Sequence, residues 1–227
     1  MAAMVLAAGY GRRLAPLTDH TPKPLLPVAG RALIDYHLDA LAASRAARIV
    51  VNCAHLGTQV AVHVAARPPA GPEVRVVDEG PEPLETGGGI ANALQLLGTE
   101  EFVVVNGDVF TDYPLARLLE GPLAPDIDAW LVLVPNPPHH PAGDFRLDKG
   151  MAAPARGAQG ALTYAGIARF SRRLFADLAP TRRPLGPILE HAAAAGRVAG
   201  ERYDGLWVDV GTPERLAEAD RLARARE

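Results

Sequence analysis

Residues 4–24 read MVLAAGYGRRLAPLTDHTPKP. The apolar run from Met4 to Ala8 has the length of a buried strand. It runs into Gly9-Tyr10-Gly11, where small residues let a backbone turn sharply and come close to a ligand. Arg12 and Arg13 follow at once, and Lys23 stands between Pro22 and Pro24. A strand, a glycine turn and closely set cations make a cradle for a polyanionic phosphate chain. Two other glycine loops are excluded. A dinucleotide fingerprint needs a third glycine where this chain has Leu14, and the Gly-Lys-Ser/Thr of a P-loop occurs nowhere.

Downstream, residues 31–46 carry Leu33, Ile34, Leu38, Leu41 and Ala42 at three- and four-residue spacing, the mark of an amphipathic helix. Strands are expected at 48–52, 73–77 and 102–106, with helices at 56–66 and 87–97. This alternation predicts βαβ units and a doubly wound, mixed but mostly parallel α/β sheet. The second half is less regular. It predicts strands at 129–135, 144–147, 162–168 and 206–210, and helices at 171–178 and 184–196. A last helix starts at Pro213 with Thr212 as its N-cap. Residues 150–160 are mostly alanine and glycine and read as a turn or loose hairpin connection. No repeat or linker divides the 227 residues, so 1–227 is expected to form one domain.

Composition narrows the partners. With 48% hydrophobic and 22% charged residues the chain has the balance of a globular protein. A net charge of −3 gives no global field for nucleic acid or anionic lipid, so phosphate affinity must be local. No apolar run approaches membrane-spanning length, and the N-terminus lacks a basic leader. One cysteine, Cys53, permits no internal disulfide; the expected location is the cytoplasm. Only Lys23 and Lys149 among the 23 basic residues are lysines, so a lysine between two prolines points to a need for a compact point charge.

Two aspartates stand at expected strand ends, Asp108 in Asn106-Gly107-Asp108 and Asp209 in Trp207-Val208-Asp209-Val210-Gly211-Thr212. Ligands of open α/β sheets lie outside such ends. Two carboxylates plus substrate phosphate suit Mg²⁺, which takes hard oxygen ligands. A second glycine cluster, Leu84-Glu85-Thr86-Gly87-Gly88-Gly89, follows Glu79 and Glu82. Either glutamate is able to accept the N3–H of uracil or thymine. Zinc is disfavoured, because His139 and His140 are adjacent and no Cys or His sits at zinc-site spacing. A nucleophile-elbow Gly-x-Ser-x-Gly is absent.

The string Leu6-Ala7-Ala8-Gly9-x-Gly11-x-Arg13-Leu14-x-Pro16-Leu17-Thr18 with Pro22-Lys23-Pro24 resembles the opening signature of the sugar-1-phosphate nucleotidyltransferases. Segments 82–89, 106–113, 139–147 and 163–167 are most similar to the branch that uridylylates N-acetylmuramate 1-phosphate in cell-wall recycling. The resemblance implies a nucleotidyltransferase fold, with nucleotide over roughly 1–112 and sugar over roughly 113–227. It implies condensation of UTP with the sugar 1-phosphate, releasing pyrophosphate. Arg13, Lys23 and Asp108 would be catalytic, and Asp108 and Asp209 would hold Mg²⁺. Leu6, Ala8, Gly9, Gly11, Arg12, Glu82, Gly87 and Gly88 would border the nucleotide. Asn106, Asp144, Arg146 and Gly166 would border the sugar, with Arg146 or Arg202 facing the lactyl carboxylate. Two departures stand out. Glu85 replaces a usual glycine, and the Glu-Lys-Pro whose lysine holds the sugar phosphate in glucose-specific relatives is missing. A mannose-1-phosphate guanylyltransferase and a non-catalytic nucleotide sensor are the alternatives; the oligomeric state is left open.

Overall fold

The computed structural model describes residues 1–68 and 71–226. Its strands are β1 (Ala2–Leu6), β2 (Pro27–Val28), β3 (Arg31–Ala32), β4 (Arg48–Cys53), β5 (Glu73–Asp78), β6 (Glu101–Asn106), β7 (Val109–Thr111), β8 (Ala129–Val134), β9 (Phe145–Asp148), β10 (Met151–Pro154), β11 (Thr163–Ser171), β12 (Val198–Arg202) and β13 (Trp207–Asp209). The helices are α1 (Leu33–Ala43), α2 (Gly57–Ala65), α3 (Glu85–Leu97), α4 (Ala116–Leu119), α5 (Gly186–Ala194) and α6 (Pro213–Arg224).

Nine strands form one mixed sheet in the order β5-β4-β1-β6-β11-β8-β12-β10-β9. The first four run parallel, β11 is antiparallel to both of its neighbours, and β12 is parallel to β8. The central strands are apolar on both faces because helices cover both. Met4, Phe102 and Val104 pack on one side with Ile90 and Leu94 of α3 and Leu189 of α5. Their chain neighbours Ala3, Val5, Val103 and Val105 pack on the other with Ile34 and Leu38 of α1 and Val60 of α2. Cys53 belongs to that second cluster; burial pushes its thiol up to about 11, so it is a structural thiol.

Two expectations change in the second half. The region 150–160 contains β10, which pairs with β9 across a two-residue turn in which Lys149 (φ 50°) and Gly150 (φ 83°) are both left-handed. That is the turn whose twist matches a hairpin. The helix expected over 171–178 is only a 3₁₀ turn at Arg172–Leu174. Its backbone is tied outward instead, Ser171 N–H to Asp128 and Arg172 N–H to Glu100, and the Arg173 guanidinium reaches the buried Asp128 carboxylate. Strands β7 and β12 are additions that the sequence pattern did not indicate. A small two-stranded sheet, β13 against β7, stands apart from the main sheet and pairs Asp209 with Val109.

Candidate active site

The loop after β1 turns at Gly11, whose φ is +65° and whose Cβ, if present, would lie 2.8 Å from Thr18 Cγ2. Thr18 Oγ1 donates to the Gly11 carbonyl at 3.0 Å and closes the loop. Gly11 therefore shapes the turn, while Leu6, Ala8, Gly9 and Arg12 line a cavity of about 400 Å³. No atom lies within 4 Å of the position of a Gly9 Cβ, so its backbone is open to an occupant. Lys23 is 8% exposed, and its ammonium meets Asp108 Oδ2 at 2.5 Å inside this cavity. Glu79, Glu82, Glu85, Asn106 and Arg182 complete the walls.

A second cavity of about 650 Å³ takes Arg13, His139, Trp207, Asp209, Thr212 and Arg215. Arg215 Nη1 donates to Asp209 Oδ2 and to His139 Nε2, both at 2.6 Å. The two histidines that sequence pairs diverge: His140 Nε2 donates to Asp144 Oδ1 at 2.9 Å. Asp108 and Asp209, a hundred residues apart, meet through the small sheet, where Val210 N–H donates to the Asp108 carbonyl at 2.8 Å. Their carboxylates have separate cationic partners, Lys23 and Arg215. No cluster of three or more His, Cys, Asp or Glu forms among the described residues. Asp108, in the turn between β6 and β7, and Asp209 of β13 are hard oxygen donors of the kind that Mg²⁺ takes, but Asp108 lines the first cavity and Asp209 the second.

A third cavity of about 380 Å³ shares Glu85, Thr86 and Asn106 with the first and adds Asp144, Phe145, Tyr164 and Leu185. Asp144 Oδ2 accepts from Tyr164 N–H at 2.9 Å. Asn106 Oδ1 and the Tyr164 hydroxyl are buried without a partner. Unpaired buried polar atoms are costly, and both residues border this cavity. Gly166, at φ +72°, seats Asn106: a Cβ there would touch Asn106 Nδ2 at 2.5 Å. Arg146 is exposed and lines none of the three cavities, and Arg202 pairs with Asp204 at 2.8 Å. Each of the two cavities that share Asn106 draws on both halves of the chain.

The glycines of α3 serve packing. A Cβ on Gly87 would lie 3.0 Å from the Arg183 carbonyl, and one on Gly88 would run into the Thr181 carbonyl. Gly88 N–H donates to Arg183 O at 3.1 Å and Arg183 N–H to Leu84 O at 2.9 Å. The segment 181–184 is thereby clamped to the start of α3, and Arg182 is carried to the cavity, where its Nε donates to Glu85 Oε1 at 2.9 Å. Glu85 itself is left-handed, φ 58°, a conformation that the glycine it replaces would adopt without strain. Gly88→Ala is expected to cost roughly 2 kcal/mol by overpacking, lowering Tm by about 5 °C in a melting experiment.

His37, fully buried behind Val109, has its Nε2 unpartnered. Burial pulls its pKa down to about 4 from 6.5, opposed by a hydrogen bond to the Val109 backbone and the charge of Asp108. The folded value lies below the unfolded one, so the associated stability is whole above about pH 6.5 and is lost as pH falls toward 4. Denaturant titrations at pH 7 and pH 4.5 are expected to differ by up to about 3 kcal/mol more in wild type than in His37→Gln.

Arg182, Asn52 and Arg215 escaped the sequence reading, which weighed His139 only as a zinc ligand and as part of the resemblance; a twin arginine in Pro180-Thr181-Arg182-Arg183-Pro184 was the available signal for Arg182. The nucleotidyl transferase family model matches residues 2–145. The chain is 44% identical over 99% of both lengths to a Neisseria meningitidis protein described as N-acetylmuramate alpha-1-phosphate uridylyltransferase. It is 38% identical, over 98% of this chain and 97% of the relative, to a Caulobacter vibrioides protein of the same description. Among solved structures, HddC from Yersinia pseudotuberculosis complexed with GMP-PN superposes with a TM-score of 0.79 at 21% identity, covering 98% of this chain and 99% of that one. With a glycine-arginine loop, buried Lys23 and Asp108 at the cavity floor and matches of this extent, the chain belongs to the nucleotidyl transferase family.

Proposed function

We propose that the protein joins UTP to N-acetylmuramate 1-phosphate, forming UDP-N-acetylmuramate and pyrophosphate. Similarity to two curated uridylyltransferases over essentially the whole chain carries this reading. The cavity bordered by Lys23, Arg12 and Glu82 receives the nucleotide over the first half of the chain, roughly 1–112. The cavity with Asn106, Asp144 and Tyr164 receives the sugar, mainly over 113–227. In the reaction an oxygen of the sugar 1-phosphate forms a bond to the α-phosphorus of UTP. The bond from that phosphorus to the β-phosphate bridge oxygen breaks in line, and pyrophosphate leaves with the electron pair.

Residues of this chain contribute positioning and charge, which dominate phosphoryl transfer. Lys23 neutralises charge at the α-phosphate, and Arg12 with the Gly9–Arg12 backbone takes the outer phosphates, while Arg13 stands beside Asp209 in the second cavity. Arg182 supplies the cation for the sugar phosphate that the missing Glu-Lys-Pro would have provided. Its bond to Glu85 is exposed, so it exchanges at little cost. Asp108 and Asp209 would hold Mg²⁺, which supplies Lewis-acid charge stabilisation to the phosphates when bound.

Pyrophosphate release measured for UTP, GTP, dTTP and CTP, each with several sugar 1-phosphates, tests the reading. The highest kcat/KM is expected for UTP with N-acetylmuramate 1-phosphate. Faster turnover of GTP with mannose 1-phosphate, or tight UTP binding without turnover of any sugar, would overturn it.

A further inference from the structure

Asn52 is the next-to-last residue of β4 and is 2% exposed. Its Oδ1 accepts from Ala7 N–H at 2.8 Å, where β1 passes into the phosphate loop. Its Nδ2 donates to Glu79 Oε1 at 2.6 Å, and Glu79 Oε2 accepts from Leu84 N–H at 2.7 Å, just before α3. A continuous relay thus runs from the loop that holds phosphates to the segment that carries Glu82, Glu85 and Thr86. Both relay side chains line the nucleotide cavity. The relay fits because position 89 is glycine: a Cβ there would run into Glu79 Oε1 and lie 2.9 Å from Asn52 Nδ2. The hydrogen bonds converge on the Glu79 carboxylate, from Asn52 on one side and from Leu84 N–H on the other, with Asn52 as the only side-chain donor.

We infer that Asn52 and Glu79 are positioning residues for nucleotide binding: their relay fixes the distance between the phosphate loop and the base-facing segment, so that the two ends of UTP are held at once. This rests on the assignment of that cavity to the nucleotide. A buried amide facing a carboxylate works only while donor and acceptor alternate. Asn52→Asp puts two carboxylates in contact. Glu79→Gln turns a donor toward either Leu84 N–H or Asn52 Nδ2. The double variant exchanges amide and carboxylate, which restores alternation with the net charge unchanged. The carboxylate now at position 52 accepts from Ala7 N–H and from the amide nitrogen at position 79, whose amide oxygen accepts from Leu84 N–H.

The test compares wild type, N52D, E79Q and N52D/E79Q by calorimetric titration with UTP, by KM for each substrate and by melting temperature. Each single variant is expected to bind UTP about tenfold more weakly, with KM for the sugar 1-phosphate within about twofold of wild type. The double variant is expected to return to within about threefold of wild-type UTP affinity. Single variants that bind UTP like wild type, a double variant no better than the product of the singles, or a parallel rise in both KM values would overturn the inference. Should N52D fail to fold, E79Q against the double variant decides the same point. A wild type that prefers another nucleoside triphosphate overturns the uridine assignment alone, and the four proteins are then compared with that nucleotide.

Discussion

Asp108→Ala is expected to lower kcat/KM by at least about a thousandfold, the scale of losing a principal electrostatic stabiliser of a transition state. The carboxylate stands in the turn after β6, bound to Lys23, and the Asp108 backbone carbonyl accepts from Val210 N–H beside Asp209. Its removal takes away one of two oxygen donors suited to Mg²⁺ and the partner that orients Lys23. Activity measured across a range of Mg²⁺ concentrations should stay low throughout, and Mn²⁺ binding followed by electron paramagnetic resonance should weaken. Substantial turnover by purified, folded Asp108→Ala would refute the metal assignment.

Lys23→Ala is the second large effect, an expected loss of about a hundredfold or more in kcat/KM. The ammonium is nearly buried on the cavity floor, packed behind Gly11, whose position lies 3.2 Å from Lys23 Cβ when a Cβ is added. Lys23→Arg is expected to rescue little, because the planar fork needs more room and different geometry than a point charge. Steady-state kinetics with the melting temperature as a folding control checks both variants. Near wild-type kcat/KM in Lys23→Arg would show that charge alone, not its compact placement, is what the site requires.

Where chemistry is continuous along the chain, it was legible. The end of β1, the Gly11 turn, Arg12 and Lys23 all fall within residues 4–24, and local sterics dictate their arrangement. The same holds for Thr212, whose Oγ1 accepts from Arg215 N–H at 3.4 Å as the N-cap of α6. The inner strands β1, β4 and β6 of the parallel half were legible because residues buried on both faces leave an apolar run. By contrast, β12 reads Val-Ala-Gly-Glu-Arg and β10 reads Met-Ala-Ala-Pro; neither alternates strongly. Both are strands because a neighbouring edge offered hydrogen bonds.

Sequence by itself determined the family signature and the α/β class, since each rests on residue type and short-range spacing. Tertiary structure decided which cations reach which cavity: Arg12 and Arg13 are consecutive yet face different ones. It also decided that Gly87, Gly88 and Gly166 make room for neighbours, and that Arg182 joins the wall of the first cavity from 97 residues beyond Glu85. The physical reason is that a side chain's role depends on what its backbone is hydrogen-bonded beside, and those partners are contributed by strands and turns far away along the chain.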